Sequence, residues 1–280
     1  MTPKEVIEGS RKIVIKIGSN TLACDDGTID VEFMKAFAAS CAELASKGKQ
    51  IVVVSSGAQV AGLSAIKGWA HKGDIYYRQA LCAIGQVELM DRWRQSFALQ
   101  GIHTAQLLLT KDDFADDHRS LNIRNTLFTL IDERVVPVIN ENDSIATDEF
   151  SIGDNDNLSA LTAILWSADL LILFSDIDGV FTDNPKENED AKLIEVVESI
   201  DGLKDVIKMG EAGSFGTGGV STKIEAASKT TALGIPLILA NGKAKGEGES
   251  ALSMLATGQM KATLFLADEN ALLRAIIRRK

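Results

Sequence analysis

The sequence has few of the residues that build disulfide frameworks, metal sites and rigid linkers. Its 280 residues include three cysteines, three histidines and four prolines. The cysteines (Cys24, Cys41 and Cys82) are odd in number and have no CxxC spacing, and the histidines form no HExxH motif. These absences argue against a disulfide framework or a zinc knuckle, and they favour the reducing cytoplasm.

Basic charge and long apolar runs are also scarce. There are 29 Lys and Arg against 39 Asp and Glu, a formal net charge of −10, whereas nucleic-acid-binding proteins usually carry a basic excess. The N-terminus lacks the apolar core of a signal peptide, and the apolar run 170–174 is far too short to span a bilayer. We therefore expect a cytoplasmic protein that binds neither nucleic acid nor a membrane.

What the chain does contain is an alternation of apolar strands and helices. Apolar, β-branched runs predict six strands, at residues 13–17, 51–54, 104–109, 135–139, 170–174 and 237–240. Helical patterns lie between them, at residues 31–47, 76–100, 121–133, 158–167 and 223–233. Most of the strands are continuously apolar, as are strands that are buried on both faces. The pattern predicts an α/β fold with a mostly parallel central sheet covered by helices.

Glycine and small polar residues follow the first two predicted strands. Lys16-Ile17-Gly18-Ser19-Asn20 ends the first strand, and Ser55-Ser56-Gly57-Ala58 follows the second. An unpaired lysine within an apolar strand is costly, so Lys16 either points out of the strand end or meets an anion. The small residues leave backbone N–H groups free for a carboxylate or phosphate at the edge where parallel sheets bind ligands. Each motif alone also fits a lysine at a strand end followed by an ordinary turn.

An acidic segment follows the fourth predicted strand. It starts with Asn140-Glu141-Asn142-Asp143 and ends with Gly153-Asp154-Asn155-Asp156-Asn157, and it holds six acidic residues and no Lys or Arg. A solvated acidic loop is the ordinary interpretation. An EF-hand is excluded, because that loop requires glycine at its sixth position and a later glutamate. The remaining interpretation is a cluster that holds the ammonium group of a ligand or orients catalytic lysines.

The glycine-rich segment from Gly213 to Lys223 is the strongest local signal. It leads into a predicted helix, and helix N-termini favour anions. It is not a Walker A loop, because Gly219 stands where lysine is required. It is not a Rossmann fingerprint either, because Ser221 replaces the third glycine or alanine. A flexible surface loop stays open as an alternative, but a lysine aimed at phosphate is the better interpretation.

Together these motifs resemble the amino acid kinase family, and within it the branch that phosphorylates glutamate. They occur in the expected order and span Lys16 to Lys223. The resemblance implies a three-layer α/β/α sandwich that forms a single domain over residues 1–280. Its N-terminal part would mainly bind the substrate, and the part from about residue 170 the nucleotide. It also implies a form without the C-terminal RNA-binding-like domain that many members append.

The resemblance implies a reaction and a set of site residues. ATP, with Mg²⁺, would phosphorylate the γ-carboxylate of L-glutamate to L-glutamyl 5-phosphate, the first step of proline biosynthesis. The residues implied to be catalytic are Lys16, Lys223 and Asp156, with Asp156 organising the two lysines. The implied substrate-binding residues are Ser56, Gly57, Asn140, Asp143, Asp154 and Asn155. The implied ATP-binding residues are Lys16, Gly18, Ser175, Asp176, Thr217, Gly218, Gly219, Val220, Ser221, Thr222 and Lys223.

The resemblance also implies a homo-oligomer, feedback by proline, and hand-off of the product to glutamyl phosphate reductase. Three other functions stay open: a sibling kinase for acetylglutamate, aspartate or carbamate, a non-catalytic sensor of amino acids or nucleotides, and a dinucleotide oxidoreductase. The acidic segment counts against acetylglutamate, which has no free ammonium group. Lys16, Lys223 and Asp156 count against a sensor, which has no need of groups that stabilise a transition state. The missing fingerprint counts against an oxidoreductase.

Overall fold

The computed structural model describes residues 1–66, 68, 74–146, 154–185, 187–203, 219–244 and 249–268. The strands in these ranges are β1 (Lys12–Ile17), β2 (Gln50–Ser55), β3 (Thr104–Leu109), β4 (Val136–Glu141), β5 (Leu170–Ser175), β6 (Val196–Val197), β7 (Leu237–Asn241) and β8 (Thr263–Phe265). The helices are α1 (Pro3–Gly9), α2 (Ser19–Leu22), α3 (Val31–Ser46), α4 (Ala58–Ala65), α5 (Ile75–Ala98), α6 (Lys111–Ala115), α7 (Asp117–Asp132), α8 (Asp154–Trp166), α9 (Gly219–Thr231) and α10 (Ala251–Thr257). No helix of this part of the chain has both the length and the apolar character needed to cross a membrane.

The strands form one eight-stranded sheet in the order β3-β4-β2-β1-β5-β7-β8-β6. All its pairings are parallel except that between β7 and β8. The central strand β1 lies between β2 and β5, so Lys16 stands opposite Val54 on one side and Leu173 on the other. The predicted mostly parallel α/β sheet is therefore confirmed.

Helices cover both faces of this sheet and form two separate apolar cores. Side chains alternate across β1: Ile13 and Ile15 pack into one core, and Val14 packs into the other. The first core includes Trp93 of α5, and the second includes Trp166 of α8. Because successive residues of a strand point to opposite faces, continuously apolar strands require this arrangement. The result is the three-layer α/β/α sandwich.

All six predicted strands are present, with ends that differ by at most two residues. Three predicted helices instead begin four residues early: α7, α8 and α9 start at Asp117, Asp154 and Gly219. Their first turns contain one apolar residue in total, Val220, so apolar periodicity could not detect them. The short strands β6 and β8 were missed, since segments of two or three residues carry no period. The sequence also has a helix-like pattern at residues 269–279, which lie outside the described residues.

The contact between α4 and α5 brings backbone close to backbone. A Cβ atom added to Gly85 would lie 1.8 Å from the Ala58 carbonyl oxygen, and one added to Gly62 would lie 2.4 Å from the Leu81 carbonyl oxygen. Only glycine fits at such distances. The left-handed Gly57, with φ of 104°, turns the chain from β2 into α4. Gly62 and Gly85 thus allow α5 to dock closely on α4, which begins just after β2 ends.

Candidate active site

A buried carboxylate and two buried lysines meet at the carboxyl edge of the central strands. Lys16 at the end of β1 places its Nζ 2.7 Å from Asp156 Oδ1, and Lys223 of α9 places its Nζ 3.2 Å from Asp156 Oδ2. Thr222 Oγ1 donates a hydrogen bond of 2.9 Å to the same Oδ2. Two elements that are distant in sequence, β1 and α9, thus converge on the first turn of α8.

This group is almost closed to solvent. Asp156 is 0% exposed, Lys16 6% and Lys223 7%. Burial alone would raise the pKa of Asp156, but the charges of Lys16 and Lys223 and the hydrogen bonds from Lys16 and Thr222 hold that pKa below its ordinary value. Two lysines around one carboxylate carry a formal net charge of +1. The group is therefore suited to attract an anion into a site of low dielectric constant.

A second polar group consists of neutral side chains beside the first. Asn155 Nδ2 donates to Ser56 Oγ at 2.8 Å and to Asn140 Oδ1 at 3.0 Å. Asn140 Nδ2 donates in turn to Gln86 Oε1 at 2.8 Å. Asn155 Oδ1 is buried and has no hydrogen-bond partner in the described part of the chain. A buried acceptor of this kind is costly unless a ligand completes it.

A third polar group lies where β5 ends. Asp176 accepts hydrogen bonds from Asn20 Nδ2 at 2.8 Å and from the Ser175 hydroxyl at 3.1 Å. Partial burial would raise the pKa of Asp176, but these donors and the nearby charge of Lys223 hold it below its ordinary value. Gly18 lies between this group and the buried lysines, since a Cβ atom there would stand 3.4 Å from Lys16 Nζ and 3.5 Å from the Phe174 carbonyl oxygen.

Known proteins are similar to this chain in sequence and in fold. Residues 11–241 match the model of the amino acid kinase family. The chain belongs to the amino acid kinase family. Its relatives include two proteins named glutamate 5-kinase. That of Alkaliphilus metalliredigens (strain QYMF) is 57% identical over 266 residues, which are 95% of this chain and 99% of the relative. That of Alkaliphilus oremlandii (strain OhILAs) is 54% identical over 265 residues, with the same coverage.

A solved structure of the same fold is carbamate kinase from Giardia lamblia bound to AMP-PNP. Its TM-score with this chain is 0.65, at 14% sequence identity. The alignment covers 93% of this chain and 99% of that structure. At such low identity the likeness establishes the fold alone. It agrees with the family assignment and with the parallel sheet described above.

The structure brings most of the sequence-predicted residues of this family member to one edge of the sheet. Those that meet in the three groups are Lys16, Gly18, Ser56, Asn140, Asn155, Asp156, Ser175, Asp176, Thr222 and Lys223. Gly57 lies just before α4, and Gly219, Val220 and Ser221 form the first turn of α9. Asp154 begins α8, and Thr217 and Gly218 lie outside the described residues.

Asp143 lies in the turn that follows β4 and faces helix α5. Burial raises the pKa of the Cys82 thiol to about 12, and the charge of Asp143 and a hydrogen bond with it contribute to the rise. This places the Asp143 carboxylate beside α5. The acidic segment is therefore split, because Asp156 is deeply buried in a helix, whereas Asp143 lies in a turn.

Sequence reasoning missed one residue and gave no role to another. Gln86 was not singled out, although it lies on the face of α5 that buries Leu89 and Trp93. A glutamine on the apolar face of an amphipathic helix is unusual, and that position was the available signal. Asn20 is the last residue of the first glycine motif, and the motif by itself gives it no partner. Its bond to Asp176 joins positions 156 residues apart and has no local signature.

Proposed function

We propose that this protein transfers the γ-phosphoryl group of ATP to the γ-carboxylate of L-glutamate. The product would be L-glutamyl 5-phosphate, and the reaction would be the first step of proline biosynthesis. The observation that carries the proposal is the buried group formed by Lys16, Asp156 and Lys223 beside the chain of amides that ends at Ser56. The substrate is supported by the two relatives named glutamate 5-kinase, which are 57% and 54% identical to this chain.

The proposed reaction is a direct displacement at phosphorus. A γ-carboxylate oxygen of glutamate forms a bond to the γ-phosphorus, the bond from that phosphorus to the bridging oxygen breaks, and ADP leaves with the electron pair. No general base is required, because a carboxylate is already ionised at neutral pH. Negative charge spreads over the transferred oxygens in the transition state, and Lys16 and Lys223 stabilise it there. Asp156 stays ionised and holds both ammonium groups in place.

The two substrates are assigned to two ends of the site. Glutamate would bind Ser56, Gly57, Asn140, Asp143, Asp154 and Asn155. ATP would bind Gly18, Ser175, Asp176 and residues 217–223, together with Lys16. In this proposal the chain is a single domain whose N-terminal part binds glutamate and whose part from about residue 170 binds the nucleotide. The amide chain and the Asp176 group share no residue, which supports this division.

Magnesium would accompany the nucleotide. Mg²⁺ is commonly held by one or two carboxylates together with substrate phosphates. The described residues contain no group of three or more His, Cys, Asp or Glu that could hold a metal by themselves. Asp176, an exposed carboxylate near Lys223, fits the role of a single protein ligand. When bound, the metal would neutralise charge on the β- and γ-phosphates.

The proposal also covers a partner enzyme, feedback inhibition, the oligomeric state and the cellular location of the protein. The acyl phosphate is reactive in water, which supports its consumption by a reductase that acts on glutamyl phosphate. Proline carries an ammonium group and a carboxylate as glutamate does, which supports feedback inhibition. The exposed Tyr76 and Val87 of α5 support a homo-oligomer. The free Cys24, Cys41 and Cys82 support a cytoplasmic location.

Trapping the acyl phosphate with hydroxylamine tests the reaction. With Mg-ATP and glutamate, we expect glutamyl hydroxamate to accumulate in proportion to the ADP released. Acetylglutamate, aspartate and carbamate, assayed for ADP release, are expected to support far less turnover. Glutamate has both the free ammonium group and the side-chain length that the proposal requires, whereas acetylglutamate lacks the first, aspartate lacks the second and carbamate lacks both.

Each outcome of this assay distinguishes a class of protein. Faster turnover with another acid would identify a sibling kinase. Absence of ADP release with every acid, from protein that melts cooperatively, would contradict the kinase proposal and favour a sensor. Omission of Mg²⁺ is expected to abolish hydroxamate formation, and full activity in excess EDTA would contradict the metal requirement.

Asn20→Ala is expected to raise the KM for ATP about two- to tenfold, the usual effect of losing one hydrogen bond. Its side chain fixes the Asp176 carboxylate at 2.8 Å. The KM for glutamate should stay within about twofold, because Asn20 does not belong to the amide chain. Asn122→Ala, an exposed asparagine of α7 that contacts His118, is the matched control. Equal KM values for ATP in Asn20→Ala and wild type would contradict the nucleotide assignment.

A further inference from the structure

The side-chain amides near β4 form a continuous chain of donors and acceptors. It runs from the backbone N–H of Glu141 through Asn140 to Gln86 on one side and to Asn155 and Ser56 on the other. We propose that Gln86 is a positioning residue: by accepting from the Asn140 amide, it holds Asn140 in the orientation that leaves Asn155 Oδ1 available to the substrate. This inference rests on the proposed binding of glutamate at this site.

The orientation of Asn140 is set by the main chain. The backbone N–H of Glu141 lies 2.8 Å from Asn140 Oδ1, and a backbone N–H can only donate. The oxygen of Asn140 must therefore face Glu141, and its NH₂ group must face the other way. Asn140 is 2% exposed, so water cannot readily compensate for a reversed amide.

Gln86 completes this orientation from helix α5. The NH₂ group of Asn140 needs an acceptor, and Gln86 Oε1 supplies it at 2.8 Å. Gln86 is 8% exposed, and its own Nε2 has no partner in the described part of the chain. Only the carbonyl oxygen of the Gln86 side chain, Oε1, therefore takes part in the chain of amides. The close packing at Gly85 fixes the backbone next to it.

The polarity then passes to Asn155. Asn140 Oδ1 can only accept, so the atom of Asn155 that faces it at 3.0 Å must be Nδ2. The same NH₂ group donates to Ser56 Oγ at 2.8 Å, which uses its second hydrogen. Asn155 Oδ1 is therefore left as an acceptor, buried and unpartnered among the described residues.

Asn155 and Ser56, at the end of the chain of amides, are complementary to the ammonium and carboxylate groups of an amino acid. Asn155 Oδ1 offers an acceptor that suits an ammonium group. Because the Ser56 oxygen accepts from Asn155, its own hydrogen is free to donate to a carboxylate. A reversed Asn155 amide would present NH₂ to the ammonium group and lose the match. Gln86 thus acts on glutamate binding without touching the reacting atoms.

The test is Gln86→Met, which keeps the length of the side chain but removes the carbonyl acceptor. We expect the KM for glutamate to rise about tenfold, the factor for one buried hydrogen bond. The KM for ATP and kcat should stay within about threefold, because the Lys16–Asp156–Lys223 group is unchanged. Gln86→Glu restores an acceptor facing Asn140 and should return the KM for glutamate to within about threefold of wild type. Gln95→Met, an exposed position of the same helix, is the matched control.

A binding measurement without ATP separates this inference from the proposed function. Glutamate should raise the Tm of wild type and Gln95→Met, and the same concentration should produce a much smaller rise in Gln86→Met. No rise in wild type together with no hydroxamate would refute the proposed function itself. A normal rise and a normal KM for glutamate in Gln86→Met would overturn the role of Gln86. If Gln86→Met does not fold, Gln86→Glu decides, and a tenfold higher KM for glutamate there would also overturn the role.

Discussion

Lys223→Met is expected to lower kcat by about 10²–10³-fold, the usual effect of removing one preorganised group that stabilises transition-state charge. The Lys223 ammonium lies 3.2 Å from Asp156 Oδ2, so its position is fixed before the substrate arrives. Methionine preserves much of the apolar stem of lysine and avoids the cavity that alanine would leave. The fold should therefore persist, as a cooperative thermal melt monitored by circular dichroism would verify. Initial rates of hydroxamate formation at saturating substrates give kcat.

Lys229→Met is the matched control, because Lys229 lies on the same helix α9 and pairs with Glu225 and Asn157 instead of Asp156. Its kcat should stay within about threefold of wild type. A kcat within twofold of wild type for Lys223→Met would show that this lysine does not stabilise the transferred phosphoryl group. Equal losses of kcat in Lys223→Met and Lys229→Met would indicate that disturbed packing of α9, and not the missing charge of Lys223, lowers the rate.

The parts of the site that could be predicted from sequence are those with a local signature. Lys16 is conspicuous because it lies in an otherwise apolar strand, and burial on both faces of the sheet makes such a charge costly. The glycines near it and before Lys223 predict places where the backbone approaches a ligand, and that contact stays a prediction. Local rules of this kind also located all six longer strands, since each is continuously apolar.

Long-range contacts set the remaining features. The Asp156 carboxylate pairs with lysines that lie 140 positions before it and 67 positions after it in the sequence. The residues next to Asp156 in sequence therefore could not show whether the acidic segment is a solvated loop, a site for an ammonium group or a partner of the lysines. The structure places the Asp156 carboxylate within 3.2 Å of both Lys16 and Lys223, and its role in orienting them for catalysis stays a prediction. The binding of an ammonium group by Asp143 and Asp154 stays a prediction. Gln86 acts through the docking of α5 on α4, which depends on paired glycines that show no pattern in either helix alone.

Asp156→Asn is expected to destabilise the protein by about 3–5 kcal/mol and to lower kcat by about 10²-fold. The substitution keeps the shape of the side chain but leaves Lys16 and Lys223 buried without a counter-ion, and removal of one partner from a buried ion pair typically has this effect on the free energy of unfolding. The loss of kcat follows from displacement of the two ammonium groups, since a shift of about 1 Å can reduce a rate 100-fold. Urea denaturation gives the free energy of unfolding, and hydroxamate formation gives kcat.

The pH dependence of this stability difference has a definite sign. The pKa of Asp156 is lower in the folded protein than its ordinary value, so its ionised form stabilises the fold. That stabilisation is fully present above the pKa of the unfolded chain, about 4, and is lost as the pH falls through the folded-state pKa. The difference in free energy of unfolding between wild type and Asp156→Asn should therefore be constant from about pH 8 to 5 and shrink below about pH 4.

Asp91→Asn supplies the control for the loss of one negative charge, because Asp91 forms an exposed pair with Arg94 on α5. Exposed pairs contribute about 0–1 kcal/mol, so this variant should have a free energy of unfolding close to that of wild type and retain its kcat.

Similar free energies of unfolding for Asp156→Asn and Asp91→Asn would mean that the two buried lysines do not depend on Asp156. If Asp156→Asn were destabilised and yet kept a normal kcat, the carboxylate would hold α8, α9 and β1 together without positioning the ammonium groups for phosphoryl transfer. Loss of both properties at once is the result that the geometry requires, because the same two oxygen atoms that stabilise the buried lysines also determine where those lysines meet the phosphate.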